Sequence, residues 1–96
     1  MNRWTIPEDV VLLSARCQGR SYEDCKGLFS VLSLTARTVK AFQDRLDTLK
    51  NDHHQIWNEA ARTFDQTEVG RLFLRWVELK YIKLDQVHEL TMLDDK

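Results

Sequence analysis

Residues 4–17 read W-T-I-P-E-D-V-V-L-L-S-A-R-C, and this stretch carries the clearest fold signal in the chain. Thr5 and Glu8 have the three-residue spacing of a capping box, in which each side chain accepts a hydrogen bond from the other residue's backbone N–H. Pro7 lies in the first turn, where its missing N–H costs nothing. Apolar side chains then recur at helical spacing. The stretch therefore predicts an amphipathic helix that runs to about Cys17 and is stopped by Gly19.

Two more helix starts follow in the first half of the chain. Ser21 precedes Asp24 by three residues, which repeats the capping signature and predicts a second, shorter helix. Thr38 is the expected N-cap of a third helix, in which apolar residues fall at i, i+4 and i+7. This third helix is expected to end near Lys50.

The second half is also expected to be helical. Asp52 and Gln55 form another capping-box pair and predict a fourth helix through Phe64. Asp65 and Glu68 predict a fifth helix, which could extend from about residue 66 to residue 92. Because alternating β-branched runs flanked by hairpin turns are absent from the sequence, the fold class is expected to be all-α, with three core helices followed by two more, the last one long.

Composition sets broad limits on function. The 96 residues carry a net charge of −1, with +2 on residues 1–50 and −3 on residues 51–96, so the chain lacks the strongly basic character of non-specific nucleic-acid binders. No apolar run approaches the roughly 18 residues of a membrane span, and the N-terminus lacks the apolar core of a signal peptide. We expect one small intracellular protein with no membrane association, in which residues 51–96 form an extension packed on residues 1–50 or on a partner.

Catalytic and metal-binding signals are weak. Cys17 and Cys25 are separated by seven residues without a CxxC pair, and both are interpreted as reduced core residues. A zinc site would have to recruit His53 or His54, and the spacing fits none of the standard patterns. The sequence contains no nucleophile–base arrangement and no phosphate-binding glycine loop. We expect no enzyme activity, no catalytic residues, no metal site and no cofactor.

Residues 1–50 resemble a single Myb/SANT-type repeat, a three-helix domain of the helix-turn-helix class. The resemblance rests on three groups of residues: Trp4, Thr5, Glu8, Asp9 and Leu12; Tyr22 and Cys25; and Arg37, Thr38, Ala41, Arg45 and Leu46. Tyr22 and Leu46 stand where the family has its second and third tryptophans. The resemblance implies that Trp4, Tyr22, Phe42 and Leu46 meet in a single interior.

The same resemblance implies a nuclear role in chromatin or transcription, through either protein or DNA. Lys40, Gln43, Asp44 and Asp47 occupy the positions where Myb repeats place their base-reading side chains. Gln43 could read adenine and one Asp could accept from cytosine, but two acids on a DNA-facing surface would each lose hydration beside a polyanion. We therefore expect mainly protein–protein interaction, with sequence-specific reading of the DNA major groove as the alternative.

The last predicted helix carries too many apolar residues for a single buried stripe. The expected partner-binding residues are Phe73, Trp76, Val77 and Lys80, together with the third-helix residues named above. The apolar surplus could bind a protein partner, form a homodimer, or lie wholly inside the chain's own core. A structural subunit that only scaffolds a larger assembly is a further possibility.

Overall fold

The computed structural model describes residues 3–92, which form five α-helices and one small hairpin. The elements are α1 (Ile6–Cys17), α2 (Tyr22–Val31), α3 (Val39–Asp52), a 3₁₀ turn (His54–Ile56), β1 (Trp57–Asn58), β2 (Thr63–Phe64), α4 (Gln66–Glu78) and α5 (Leu84–Thr91). The mostly helical character confirms the predicted class in outline, while the hairpin departs from it. None of the helices in the described part of the chain has the length and apolar character needed to cross a lipid bilayer.

The predicted helix starts are confirmed at four N-caps. Thr5 and Glu8 form the complete capping box at the start of α1. Ser21 and Thr38 each accept a hydrogen bond, 3.1 Å long, from the backbone N–H three residues later. Asp65 does the same at the start of α4. Each cap satisfies a backbone donor that the helix leaves unpaired and contributes about 1 kcal/mol.

Three helices end in the same way, with a left-handed residue just beyond the last turn. These residues are Gly19 after α1, Ser33 after α2 and Lys80 after α4, with φ of 78°, 58° and 65°. After α4, the Lys80 N–H donates to the Val77 carbonyl and the Tyr81 N–H donates to the Trp76 carbonyl. These two bonds define a Schellman ending.

The ending at Lys80 corrects the predicted long last helix. The segment expected to run from about residue 66 to residue 92 is instead two helices, α4 and α5, joined by residues 79–83. Because the chain turns at Lys80, apolar residues that would have wrapped around one helix are divided between two helices that pack against each other.

The prediction of a fourth helix through Phe64 is wrong. The Asp52–Gln55 pair does not start a helix, and the segment forms the 3₁₀ turn followed by the antiparallel hairpin in which Trp57 pairs with Phe64. The Asn58 side chain accepts the Ala61 N–H at 2.9 Å and stabilises the hairpin loop.

Aromatic packing explains why the hairpin forms. Pairing Trp57 with Phe64 brings their rings to 5.0 Å in an edge-to-face arrangement. The Lys50 ammonium then lies 3.7 Å from the centre of the Trp57 ring and ties α3 to the hairpin.

Helix α1 occupies the centre of the molecule. Its residues 10–13 are at most 1% exposed, and α1 contacts α2, α4, α5 and β2. Burial of each such side chain contributes about 1.5–3 kcal/mol. Residues 1–50 and residues 51–96 therefore share one core in their described parts.

The four side chains expected to meet do share this core. The Phe42 ring lies 6.1 Å from that of Trp4 and 6.3 Å from that of Tyr22, and Leu46 is 3% exposed. Phe29 completes the aromatic cluster at 5.1 Å from Phe42. Strand pairing is absent from the described residues 3–50.

Candidate functional site

Two charged residues near the start of α1 are buried and paired with arginines from the third-helix region. Glu8 is 2% exposed and accepts from Arg37 Nη2 at 3.1 and 3.2 Å, in addition to its capping bonds. The Arg37 guanidinium also lies 4.1 Å from the centre of the Trp4 ring. These contacts hold the segment before α3 against the start of α1.

The second pair joins α1 to the middle of α3. Arg45 donates from Nε and Nη2 to the two carboxylate oxygens of Asp9 at 2.8 and 2.7 Å. Burial raises the pKa of the Asp9 carboxyl, and the hydrogen bond from Arg45 opposes that rise. Asp9 in turn raises the pKa of Arg45. The Arg45 charge is thus satisfied inside the molecule, which leaves it poorly placed to hold a phosphate.

The outer face of α3 is exposed and carries the four residues expected to contact DNA or a partner, Lys40, Gln43, Asp44 and Asp47. The Lys40 ammonium lies 3.3 Å from the Asp44 carboxylate. Lys50, the other lysine of α3, lies over the Trp57 ring. The described face therefore combines two acids with lysines that already have partners inside the chain, which disfavours contact with a polyanion.

The four docking residues expected in the last helix differ in how much of each side chain is exposed. Phe73 and Trp76 are 7% and 5% exposed, so they belong to the chain's own core and do not form an exposed docking face. Their burial corrects the expectation for these two residues. Val77 is half-buried and Lys80 is exposed at the end of α4.

A different set of apolar side chains is exposed around α4 and α5. Leu74, Leu79, Tyr81 and Leu84 are 54%, 52%, 58% and 46% exposed. We call these four residues the α4–α5 surface. The sequence interpretation missed all four of them as docking residues because the number of apolar residues alone does not show which of them face inward.

A groove of about 560 Å³ adjoins this surface, between α1, α4 and α5. Its lining includes the apolar residues Val69, Phe73, Leu74, Leu84 and Val87. Cys17 also lines the groove, and burial raises the pKa of its thiol to about 11, so it stays protonated at neutral pH. The groove is therefore suited to apolar contact and not to thiolate chemistry.

The residues considered for a metal site do not come together. Cys17 and Cys25 are free thiols, the first half-buried and the second buried. Among residues 3–92, no group of three or more His, Cys, Asp or Glu side chains has an arrangement that could hold a metal ion.

A scan of protein-family models and searches of curated proteins and of solved structures return no match to this chain.

Proposed function

We propose that the chain is a Myb/SANT-like protein–protein interaction module that acts in the nucleus on chromatin or transcription proteins, without catalytic activity. It contacts its partner through the α4–α5 surface. The observation that carries the proposal is that Leu74 and Leu84, each about half exposed, line one groove, while Leu79 and Tyr81 are exposed in the segment that joins α4 to α5. Exposed apolar residues beside an apolar groove are typical of interaction sites.

The contacts made by the motif residues support the family part of the proposal. Trp4, Glu8 and Asp9 from one end of the pattern contact Arg37 and Arg45 from the other end, 29 to 36 residues away. A local helix signal would not require these long-range pairs. Their presence supports a Myb/SANT-like arrangement of the three helices in residues 3–52.

Charge placement favours protein over DNA as the partner. A helix that reads the major groove needs cations free to hold phosphates beside the base-reading side chains. Here Arg37 and Arg45 are paired with buried carboxylates, and Asp44 and Asp47 remain on the exposed face. Contact with a protein through the α4–α5 surface avoids this problem, because Asp44 and Asp47 then do not have to approach a phosphate.

Titration of labelled duplex DNA separates the two functions. Anisotropy measured at about 50 mM and about 200 mM salt should show weak binding with little change in affinity, because few counterions are released. Binding at micromolar concentration or tighter that falls steeply with salt would contradict the proposal.

Quantitative co-purification tests the surface itself. Tagged wild-type protein, Leu74→Glu and the control Val31→Glu are compared in native nuclear extract; Val31 is also exposed and apolar but lies at the end of α2. We expect a set of proteins retained by wild type and Val31→Glu and lost from Leu74→Glu. Equal recovery with all three chains would exclude Leu74 from the contact.

A further inference from the structure

We infer that a second copy of this chain covers the outer face of α4, with the two α4 helices antiparallel and related by a two-fold axis near Leu74 and Arg75. The inference rests on the proposed function, because it names one partner for the part of the α4–α5 surface that contains Leu74. Closed two-fold dimers are the commonest protein assemblies, and their interfaces must be self-complementary. The outer face of α4 meets this requirement.

The outer face is a single stripe along the helix. Thr67, Arg71, Leu74 and Glu78 are all exposed, and their spacing of four, three and four residues places them on one side of α4. The opposite side holds the buried residues Val69, Leu72, Phe73 and Trp76. The 13-residue helix is about 20 Å long, so the whole stripe is available to a helix of the same length.

The charges on this stripe match an antiparallel copy of it. Arg71 lies about one turn before Leu74 and Glu78 lies about one turn after it. When two such helices run in opposite directions about a two-fold axis between Leu74 and Arg75, Arg71 of each copy faces Glu78 of the other. One opposite-charge pair thus forms on each side of the axis.

In the described part of the chain, the ion pairing of Arg71 and Glu78 does not prevent them from pairing with a second copy. Arg71 is 70% exposed and, among residues 3–92, forms an ion pair only with Glu68, one turn away. Glu78 is exposed and has no ion-pair partner among residues 3–92. A partner Arg71 would therefore supply the cation that this carboxylate lacks.

Apolar contact adds to the pairing at the centre. Leu74 is 54% exposed and sits beside the two-fold axis, where it meets residues 74 and 75 of the other copy. The aliphatic part of Arg75 can cover the opposing leucine while its charge stays in water. Val77 on α4 and Leu84 on α5 line a common pocket and extend the apolar contact beside the stripe.

Charge reversal tests the inference by sedimentation. Wild-type protein should shift from one copy to two as concentration rises. Arg71→Glu and Glu78→Arg should each weaken dimerisation by at least about tenfold, because each places like charges on both sides of the axis. Mixing the two variants should restore dimers, since a mixed pair again has one acid and one base at each contact. The double variant should also dimerise.

A matched control separates local charge effects from the interface. Arg62→Glu reverses an exposed arginine that pairs with a glutamate three residues before it, as Arg71 does, but lies in the hairpin. It should dimerise as wild type does. Circular dichroism verifies that each variant folds. The uncharged variants Arg71→Gln and Glu78→Gln are a second control: mixing them should restore dimers less fully than mixing the charge-reversed variants, because a mixed pair then has an acid and a base at only one of its two contacts.

The outcomes separate this inference from the proposed function. A wild-type chain that stays monomeric at all concentrations, or single variants that dimerise like wild type, overturns the dimer. If Leu74→Glu still loses proteins from nuclear extract, the proposed function stands and its partner is a different protein. If the chain dimerises but Leu74→Glu loses no other protein, the dimer stands and the chromatin partner is contradicted.

Discussion

Arg45 on α3 donates hydrogen bonds to both carboxylate oxygens of Asp9 on α1, and Asp9 is 1% exposed. Removing the arginine leaves a buried acid without its partner. We predict that Arg45→Met lowers the free energy of unfolding by about 2–3 kcal/mol, less than a fully buried pair would cost because the Arg45 side chain is 25% exposed. Urea denaturation measures this change.

The double variant Asp9→Asn with Arg45→Met controls for the unpaired charge. It should recover part of the lost stability, since the buried acid is replaced by a neutral amide. Lys40→Met, which removes an exposed cation from the same helix, should change the unfolding free energy by less than about 1 kcal/mol. Equal losses for Arg45→Met and Lys40→Met would contradict the structural role given to the Asp9–Arg45 pair.

Trp76 in the last turn of α4 and Leu79 just after the helix should respond differently to truncation. Trp76 is 5% exposed and packs against Phe73 and His53, so Trp76→Ala should cost about 3–5 kcal/mol. Leu79 is 52% exposed, and Leu79→Ala should cost well under about 1 kcal/mol. Thermal and urea unfolding measure both. A small loss for Trp76→Ala would place this tryptophan outside the core.

The left-handed backbone at Lys80 predicts a stabilising substitution. A residue with a Cβ pays about 1–2 kcal/mol in this conformation, whereas glycine adopts it freely at some cost in chain entropy. Lys80→Gly should therefore raise the free energy of unfolding by about 0.5–1 kcal/mol. Arg75→Gly, within the helix, should lower it by about 1 kcal/mol. If Lys80→Gly destabilised the protein as Arg75→Gly does, the helix would have to continue through residue 80.

His53 predicts a pH dependence of stability. Its ring packs 6.0 Å from that of Trp76, and burial lowers the pKa of the imidazole below its ordinary value of 6.5. As pH falls below 6.5, the unfolded chain takes up a proton that the folded chain resists, so stability present above that pH is lost on acidification. Unfolding free energies at about pH 7.5 and about pH 5.5 give the size of this loss.

A matched pair of variants isolates the contribution of His53. His53→Gln cannot titrate and should show a smaller acid-induced loss than wild type, whereas His54→Gln, at an exposed position, should retain the wild-type loss. An identical pH response in all three proteins would assign the effect to other groups.

Helix starts could be predicted from this sequence better than helix ends. Thr5, Ser21, Thr38 and Asp65 are caps with a local mechanism, and each was identifiable from spacing alone. The ends depend on a left-handed residue, which sequence reveals only when that residue is glycine. Gly19 therefore marks the end of α1 in the sequence, whereas Lys80 carries no such signal, so the pattern predicts one helix where the chain forms α4 and α5.

The hairpin shows where local signals fail. The Asp52–Gln55 pair has capping-box spacing, yet Asp52 is the last residue of α3, and the Trp57–Phe64 ring contact and the Lys50 ammonium stabilise a hairpin after it. These contacts appear only once the tertiary structure is formed. The exposed position of Leu74 was unpredictable for the same reason, because the direction of each apolar side chain depends on which helices cover α4.

Photo-cross-linking from two positions tests the central claim most directly. A photoreactive amino acid replaces Leu74 on the α4–α5 surface or Gln43 on the outer face of α3, and each protein is irradiated in nuclear extract. We expect discrete adducts from position 74 and few from position 43. Two cross-linked copies of the chain are distinguished from other adducts by their mass. Adducts from position 43 with none from position 74 would contradict the proposed interaction surface.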